Sequence, residues 1–195
     1  MQPLVLASQS RYRKALLDKL MLPFVQDSAD IDESAQPNEA GLDLVRRLAL
    51  EKAQTVAKRH PGALIIASDQ LAALDGEILT KPETHERAVE QLQALSGRTV
   101  VFHTSLCLLD TQDNSAEVIV EDVNVRFKTL SNAAIERYLR AEQPYDTVGS
   151  FKSEGLGIML FEAIESQDPN TLIGLPMIQL CQQLEAKGYC IPPKA

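Results

Sequence analysis

The chain has 195 residues, 24% of them charged, with 27 Asp and Glu against 19 Lys and Arg for a formal net charge of −8. That length can bury a core as one domain or two small lobes, and the acidic balance argues against duplex DNA or an anionic membrane surface as the main partner. Cys107, Cys181 and Cys190 are odd in number and lack C-x-x-C spacing, and no apolar run reaches the roughly 18 residues of a transmembrane span, so free thiols and a soluble, cytoplasmic protein are expected.

The first apolar run, Leu4 to Ala7, is too short for a helix and leads through Ser8 and Ser10 into helical spacing, which predicts strand, tight turn and helix start. Arg11, Arg13 and Lys14 then crowd the first turn, where the helix dipole is already positive and each cation costs roughly 0.3–1 kcal/mol. Folding gives no reason for that placement. An anion does, because free N–H groups, the Ser8 and Ser10 hydroxyls and a guanidinium can converge on one phosphate-sized target. At about 100° per residue, Arg13 falls inside the arc of Leu16, Leu17 and Leu20 and is expected to point inward, whereas Arg11 and Lys14 fit a solvated face.

Pro23 to Val25 reads as a short extended piece, followed by an acidic loop that contains Asp32 and Glu33. Helical spacing returns from Leu42 to about Arg59, with Leu42, Val45, Leu48, Ala49, Ala53 and Val56 on one side and Lys52 in their midst. A lysine there must snorkel, pair or meet a ligand. Ala63 to Ala67 is a strand buried on both faces, and Ser68-Asp69-Gln70 follows it directly. Leu71 to Leu79 predicts a hairpin about Asp75-Gly76, and Lys81-Pro82 must be extended. Thr84 caps a helix that stops at Ser96-Gly97; Thr99 to Leu109 and Val118 to Phe127 form neighbouring strands; Ser131 caps a helix to about Ala141. A glycine-punctuated stretch, Gly149 to Gly157, precedes a strand expected over Ile158 to Phe161, and Leu175-Pro176 opens a last helix. The alternation describes one α/β unit, 1–195, with two lobes around a cleft as one arrangement.

Four residues stand out by chemistry: Arg13 and Lys52 on inward faces, Asp69 past a buried strand, and Glu33 in a loop. Ligands of open α/β sheets bind beyond the carboxyl ends of strands, where both Ser8 and Asp69 fall. Asp69 read alone is equally a strand-ending turn residue, and Glu33 alone is an ordinary solvated carboxylate. Together the four suggest phosphate chemistry, with carboxylate oxygens holding a divalent ion and cations neutralising phosphoryl oxygens; Lys81 adds a further phosphate contact. No histidine pair has metal-ligand spacing, and neither a dinucleotide fingerprint nor a Walker loop is present.

The ordered set Ala7-Ser8-x-Ser10-x-x-Arg13, Asp32-Glu33, Glu51-Lys52-Ala53, Ser68-Asp69-Gln70, Lys81-Pro82, Ser96-Gly97, Gly149-Ser150-Phe151, Glu154-Gly155 and Asp168-Pro169-Asn170 resembles the Maf family of nucleoside triphosphate pyrophosphatases across almost the whole chain. Within that family, Tyr12, Gln70 and the run Gly149 to Gly155 look most like the branch that acts on 7-methyl-GTP. The resemblance implies an α/β fold with an elongated mixed sheet flanked by helices and two lobes around a cleft, as in ITPase-like proteins. It implies hydrolysis of a nucleoside triphosphate to monophosphate and diphosphate, Asp69 as proton acceptor, a divalent cation (Mg or Mn) on Glu33 and Asp69, and Tyr12, Gln70 and Glu154 as the positions that set base preference. A cationic N7-methylguanine would gain about 0.5–2 kcal/mol over an aromatic face such as Tyr12, and a Glu154 carboxylate would accept from its N1 and N2 edge. Two departures are Arg11, where the family often has Pro, and Tyr12, where the branch often has Trp. The rival readings are a Maf pyrophosphatase for dTTP, UTP or CTP, and a regulatory protein that binds a nucleotide without cleaving it. A homodimer is left open.

Overall fold

The computed structural model describes residues 1–193. In chain order the elements are β1 (Leu4–Ala7), α1 (Arg11–Asp18), β2 (Phe24–Asp27), α2 (Gly41–Ala57), β3 (Leu64–Ala67), β4 (Gln70–Leu74), β5 (Glu77–Ile78), α3 (His85–Leu95), β6 (Thr99–Asp110), β7 (Ser115–Phe127), α4 (Asn132–Glu142), β8 (Phe161–Glu165) and α5 (Met177–Ala186). The eight strands form one mixed sheet in the order β2-β1-β3-β6-β4-β5, with β7 against β6 and β8 against β7. An α/β fold with a mixed sheet and five flanking helices is therefore the architecture, as expected. The chain divides into two compact units: Met1–Gln70 with Thr104–Glu121 and the segment from Asp168 onward, and Leu71–His103 with Asp122–Gln167.

In the first unit β1 pairs in parallel with both β2 and β3, while β3 pairs antiparallel with β6. Side chains of β1 and β3 alternate between two cores, as the two-residue period of a strand requires. Leu4, Leu6, Leu64 and Ile66 pack with Leu16 and Leu17 of α1 and Leu180 and Leu184 of α5. Val5, Ala7, Ile65 and Ala67 face the opposite way, against Ala49, Ala53 and Val56 of α2. Small residues on both sides of that second layer let α2 lie close to the sheet. Its apolar face differs from the expected one at a single position: Leu42, in the first turn, is exposed, and Leu44 takes the buried place.

The second unit holds the expected hairpin, with Ala73 opposite Ile78 and Leu74 opposite Glu77. Asp75 and Gly76 both have positive φ, 51° and 86°, the pair of values that a type I′ turn demands. Phe102, Phe127, Phe151 and Phe161 form its aromatic centre, edge to face at centroid separations of 5.1–5.6 Å. The strand expected over Ile158 to Phe161 begins only at Phe161, because Leu156–Leu160 is a 3₁₀ turn. The amides of Gly155 and Gly157 both bond to the Lys152 carbonyl, and a Cβ on Gly157 would lie 2.3 Å from that oxygen. The glycines thus fold the backbone onto itself and consume the residues that apolar content alone assigns to a strand. Among the described residues no helix is long and apolar enough to cross a membrane.

Candidate functional site

Three parallel strands, β2, β1 and β3, end side by side, and their carboxyl ends open into a pocket of about 300 Å³. Its wall is made of Ala7 and Ser8 after β1, Ser28 and Ala29 after β2, and Asp69 after β3, with Gln9, Ser10, Arg13, Glu33 and Lys52 completing it. This is the place where open α/β sheets bind ligands. Six of the residues singled out by sequence therefore meet in one pocket of one unit: Ser8, Ser10, Arg13, Glu33, Lys52 and Asp69.

Ser10 is the N-cap of α1, and its hydroxyl accepts from the Arg13 amide at 3.4 Å. Ser8 Oγ accepts from the Ser10 amide at 3.2 Å. Each hydroxyl thereby spends a lone pair on the turn and keeps its O–H to donate. Arg13 points inward as expected: its Nε donates to the Gly174 carbonyl at 2.9 Å, and its Nη groups make no hydrogen bond to the described protein residues. Burial pulls the pKa of this guanidinium down, and the negative charges of Asp69 and Glu33 pull it back up. Lys14 pairs with Asp18 at the exposed surface, the solvated role expected of it.

Lys52 is buried on the inner face of α2, and its ammonium joins two acids, Asp69 Oδ1 at 2.5 Å and Glu33 Oε1 at 2.8 Å. The Asp69 side chain is 14% exposed, that of Glu33 61%, so one carboxylate lines the floor and the other closes over from the loop. Burial pushes the Asp69 carboxyl above its ordinary pKa, opposed by Lys52 and then by Arg13, with Glu33 adding to the rise. A carboxylate held above its usual range is a better proton acceptor than an ordinary aspartate. Hydroxyl donors, an unspent guanidinium fork and an ammonium on one side, with two acids on the other, can receive a polyphosphate and accept a proton from water beside it.

Ser105, on β6, was not among the sequence candidates. Its hydroxyl accepts from the Asp69 amide at 3.0 Å and donates within 2.8 Å of the Val45 carbonyl, while its own amide donates to the Asp69 carbonyl at 2.8 Å. In the sequence Thr104-Ser105 is a hydroxyl pair after His103 in a strand-like run, which does not by itself point to Asp69; in the fold both side chains are fully buried. Ser105→Ala is expected to leave the Asp69 amide unpaired, costing about 1–3 kcal/mol. Urea unfolding should show that loss, together with a fall in turnover at unchanged substrate affinity. Gln9 and Ser28 are also unpredicted wall residues, joined by a 3.0 Å bond from Gln9 Nε2 to Ser28 Oγ.

The remaining candidates are placed otherwise. Gln70 sits at the start of β4, with its Nε2 donating to Thr104 Oγ1 at 2.8 Å and to the carbonyls of Thr171 and Leu172 at 3.0 and 3.2 Å. Tyr12 carries the Arg11 guanidinium over its ring, 4.8 Å from the centroid, and its hydroxyl accepts from Arg11 Nη2 at 2.8 Å. Neither lines the pocket. Lys81 and Glu154 belong to the second unit, both at exposed positions.

The sequence model of the Maf-like protein family matches residues 3–187. A protein of Pseudomonas fluorescens (strain Pf0-1) named 7-methyl-GTP pyrophosphatase is 52% identical over 192 residues, 98% of this chain and 100% of that one. Proteins of the same name from Alcanivorax borkumensis and Nitrosococcus oceani are each 51% identical, covering 97% and 95% of this chain and 96% and 94% of theirs. With the family model matched over residues 3–187 and half its residues shared with such relatives over nearly the full length, this chain belongs to the Maf family.

Proposed function

We propose that this protein hydrolyses 7-methyl-GTP to 7-methyl-GMP and diphosphate, working as a single enzyme domain in the cytoplasm. The observation that carries the chemistry is the meeting of Lys52 with Asp69 and Glu33 beside Arg13, in a pocket at the ends of three parallel strands. Support for the substrate is the name shared by relatives at about half identity over nearly the full length. Cys107, Cys181 and Cys190 are all free thiols, which suits a reducing compartment.

In this reading Arg13, Lys52 and the Ser8 and Ser10 hydroxyls hold phosphoryl oxygens. Asp69 takes a proton from the water whose oxygen bonds to the α-phosphorus, and the bond to the β-phosphoryl oxygen breaks to release diphosphate. Lys52, touching Asp69, orients that carboxylate and spreads its cationic field over the phosphates. A divalent ion fits the chemistry of two hard carboxylates, Glu33 and Asp69, that gather on one Nζ, with substrate oxygens needed to complete its shell because among the described residues no group of three His, Cys, Asp or Glu side chains converges. Mg²⁺ is commonly held by one or two carboxylates with substrate phosphates completing its shell, so Glu33 and Asp69 would hold it. When bound it would supply positive charge to the phosphoryl oxygens and acidify water. Lys81 is proposed as an additional phosphate contact, and Tyr12, Gln70 and Glu154 as determinants of base preference.

Diphosphate release across 7-methyl-GTP, GTP, dTTP, UTP and CTP tests the reading. Its expected result is the highest kcat/KM for 7-methyl-GTP; a preferred pyrimidine, or tight binding without cleavage in Mg²⁺ and Mn²⁺, would overturn it. Glu154→Gln should narrow the preference for 7-methyl-GTP over GTP by about 1–2 kcal/mol, the range of a charge-assisted bond against a neutral one.

A further inference from the structure

Glu33 poses a positional problem. Its side chain is 61% exposed, it lies in the segment between β2 and α2 that has no regular secondary structure, and among the described residues its ion pair is with Lys52. An exposed carboxylate on an irregular segment loses most of an ion pair's worth to its own conformational freedom. The backbone of that segment must therefore be held from elsewhere.

The restraint is on α2. Arg47 lies five residues before Lys52, about 7.5 Å along the helix axis. Its Nε donates to Glu39 Oε1 at 2.6 Å and its Nη2 to Glu39 Oε2 at 2.8 Å, a bidentate fork. The same Nη2 donates to the Ser34 carbonyl at 3.0 Å, one residue from Glu33, and Nη1 reaches Glu51 Oε2 at 3.1 Å. Glu39 in turn accepts from the Gln36 amide at 2.9 Å, so its two oxygens tie the guanidinium to the backbone of the segment. Both side chains are largely covered, 19% exposed for Arg47 and 9% for Glu39. The Arg47 hydrogen bonds hold the Glu39 carboxyl down to about 2, so the fork stays charged throughout the physiological range.

We propose that Arg47 is a positioning residue for the pocket: by clamping Glu39 and the Ser34 carbonyl against α2, it sets the backbone from which Glu33 reaches Lys52. Arg47 is not one of the pocket's wall residues and acts through Glu33. A lysine cannot replace it, since one ammonium cannot make the parallel pair of bonds and reach a carbonyl as well. The inference rests on Glu33 working in the reaction proposed above.

Arg47→Lys and Glu39→Gln, made in the full chain, break the fork from its two sides with little change in size. The expected result is faster amide hydrogen exchange at residues 34–39, by about tenfold or more, in both variants. It is accompanied by a fall in kcat of about tenfold with KM changed less than about threefold. In a Glu33→Gln background neither variant should lower kcat further, because the group they position is already gone. A shift in thermal unfolding with kcat untouched, unaltered exchange at 34–39, or losses that multiply with that of Glu33→Gln would each overturn the proposal. If the parent protein cleaves none of the five nucleotides, the proposed function fails, and exchange at 34–39 alone then decides whether the clamp exists.

Discussion

Replacing Asp69 with Asn is expected to cut diphosphate release by about 10²- to 10⁴-fold, the contribution of a positioned general base, while leaving the protein at least as stable as the parent. The two effects share one cause. Burial pushes the Asp69 carboxyl above its ordinary pKa against the pull of Lys52 and Arg13, so the folded state holds a proton on this group more tightly than the unfolded chain does. The charge is therefore a net cost to folding at neutral pH, one that is relieved as pH falls through the folded pKa toward the unfolded value of about 3.9. Asn has the same shape without the charge, and Lys52 retains Glu33 as a partner at 2.8 Å. A higher Tm at pH 7 than the parent's is the expected result with chelator present. The stabilising contribution of lower pH from this group should disappear in the variant. Turnover at the parental rate would remove Asp69 from the reaction, and a marked loss of Tm would show that its ion pair with Lys52 outweighs the burial.

Lys52→Met should do the reverse to stability and the same to activity. Its ammonium is the cation that both acids touch, and removing it leaves Asp69, 14% exposed, with only the longer-range pull of Arg13. Breaking a fully buried pair from one side costs about 3–5 kcal/mol; with Glu33 61% exposed and free to turn to water, about 1–3 kcal/mol is expected here. Urea unfolding in chelator would read it. Turnover should fall about 10²- to 10³-fold, as for loss of one preorganised donor to a developing phosphoryl charge. The double variant Lys52→Met with Asp69→Asn should be more stable than Lys52→Met alone, because no carboxylate is then left uncompensated on the pocket floor. Additive losses of stability would show that the two side chains do not share this energy.

Much of the pocket was legible residue by residue. Arg13 and Lys52 were marked by angular position, each a cation inside an arc of leucine, valine or alanine, and both lie inward. Asp69 was marked by following a strand apolar on both faces. Ser105 was not legible, because its function is to bond the backbone of Asp69 from a different strand 36 residues away. Arg47 was not legible either: on the helix it looks like any charged flank residue, and only the course of the 28–40 segment makes it a clamp. The boundary of β8 was misplaced for the same reason, since apolar content at Ile158 and Met159 says nothing of a Gly157 pressed onto the Lys152 carbonyl.

The amino-acid sequence by itself determined the alternation of helices and strands, the turn at Asp75-Gly76, the helix caps at Thr84 and Ser131, and the faces on which the unusual cations lie. These follow from periods of two and 3.6 residues and from local side-chain to backbone bonds, which act over a few positions of chain. Only the tertiary structure decided which acids meet which cations. Lys52 and Asp69 are 17 residues apart, and Arg13 rests on a carbonyl 161 residues away. Such partners are chosen by how strands stack into one sheet, and the shift in the Asp69 pKa exists only once that stacking has taken water from its carboxylate.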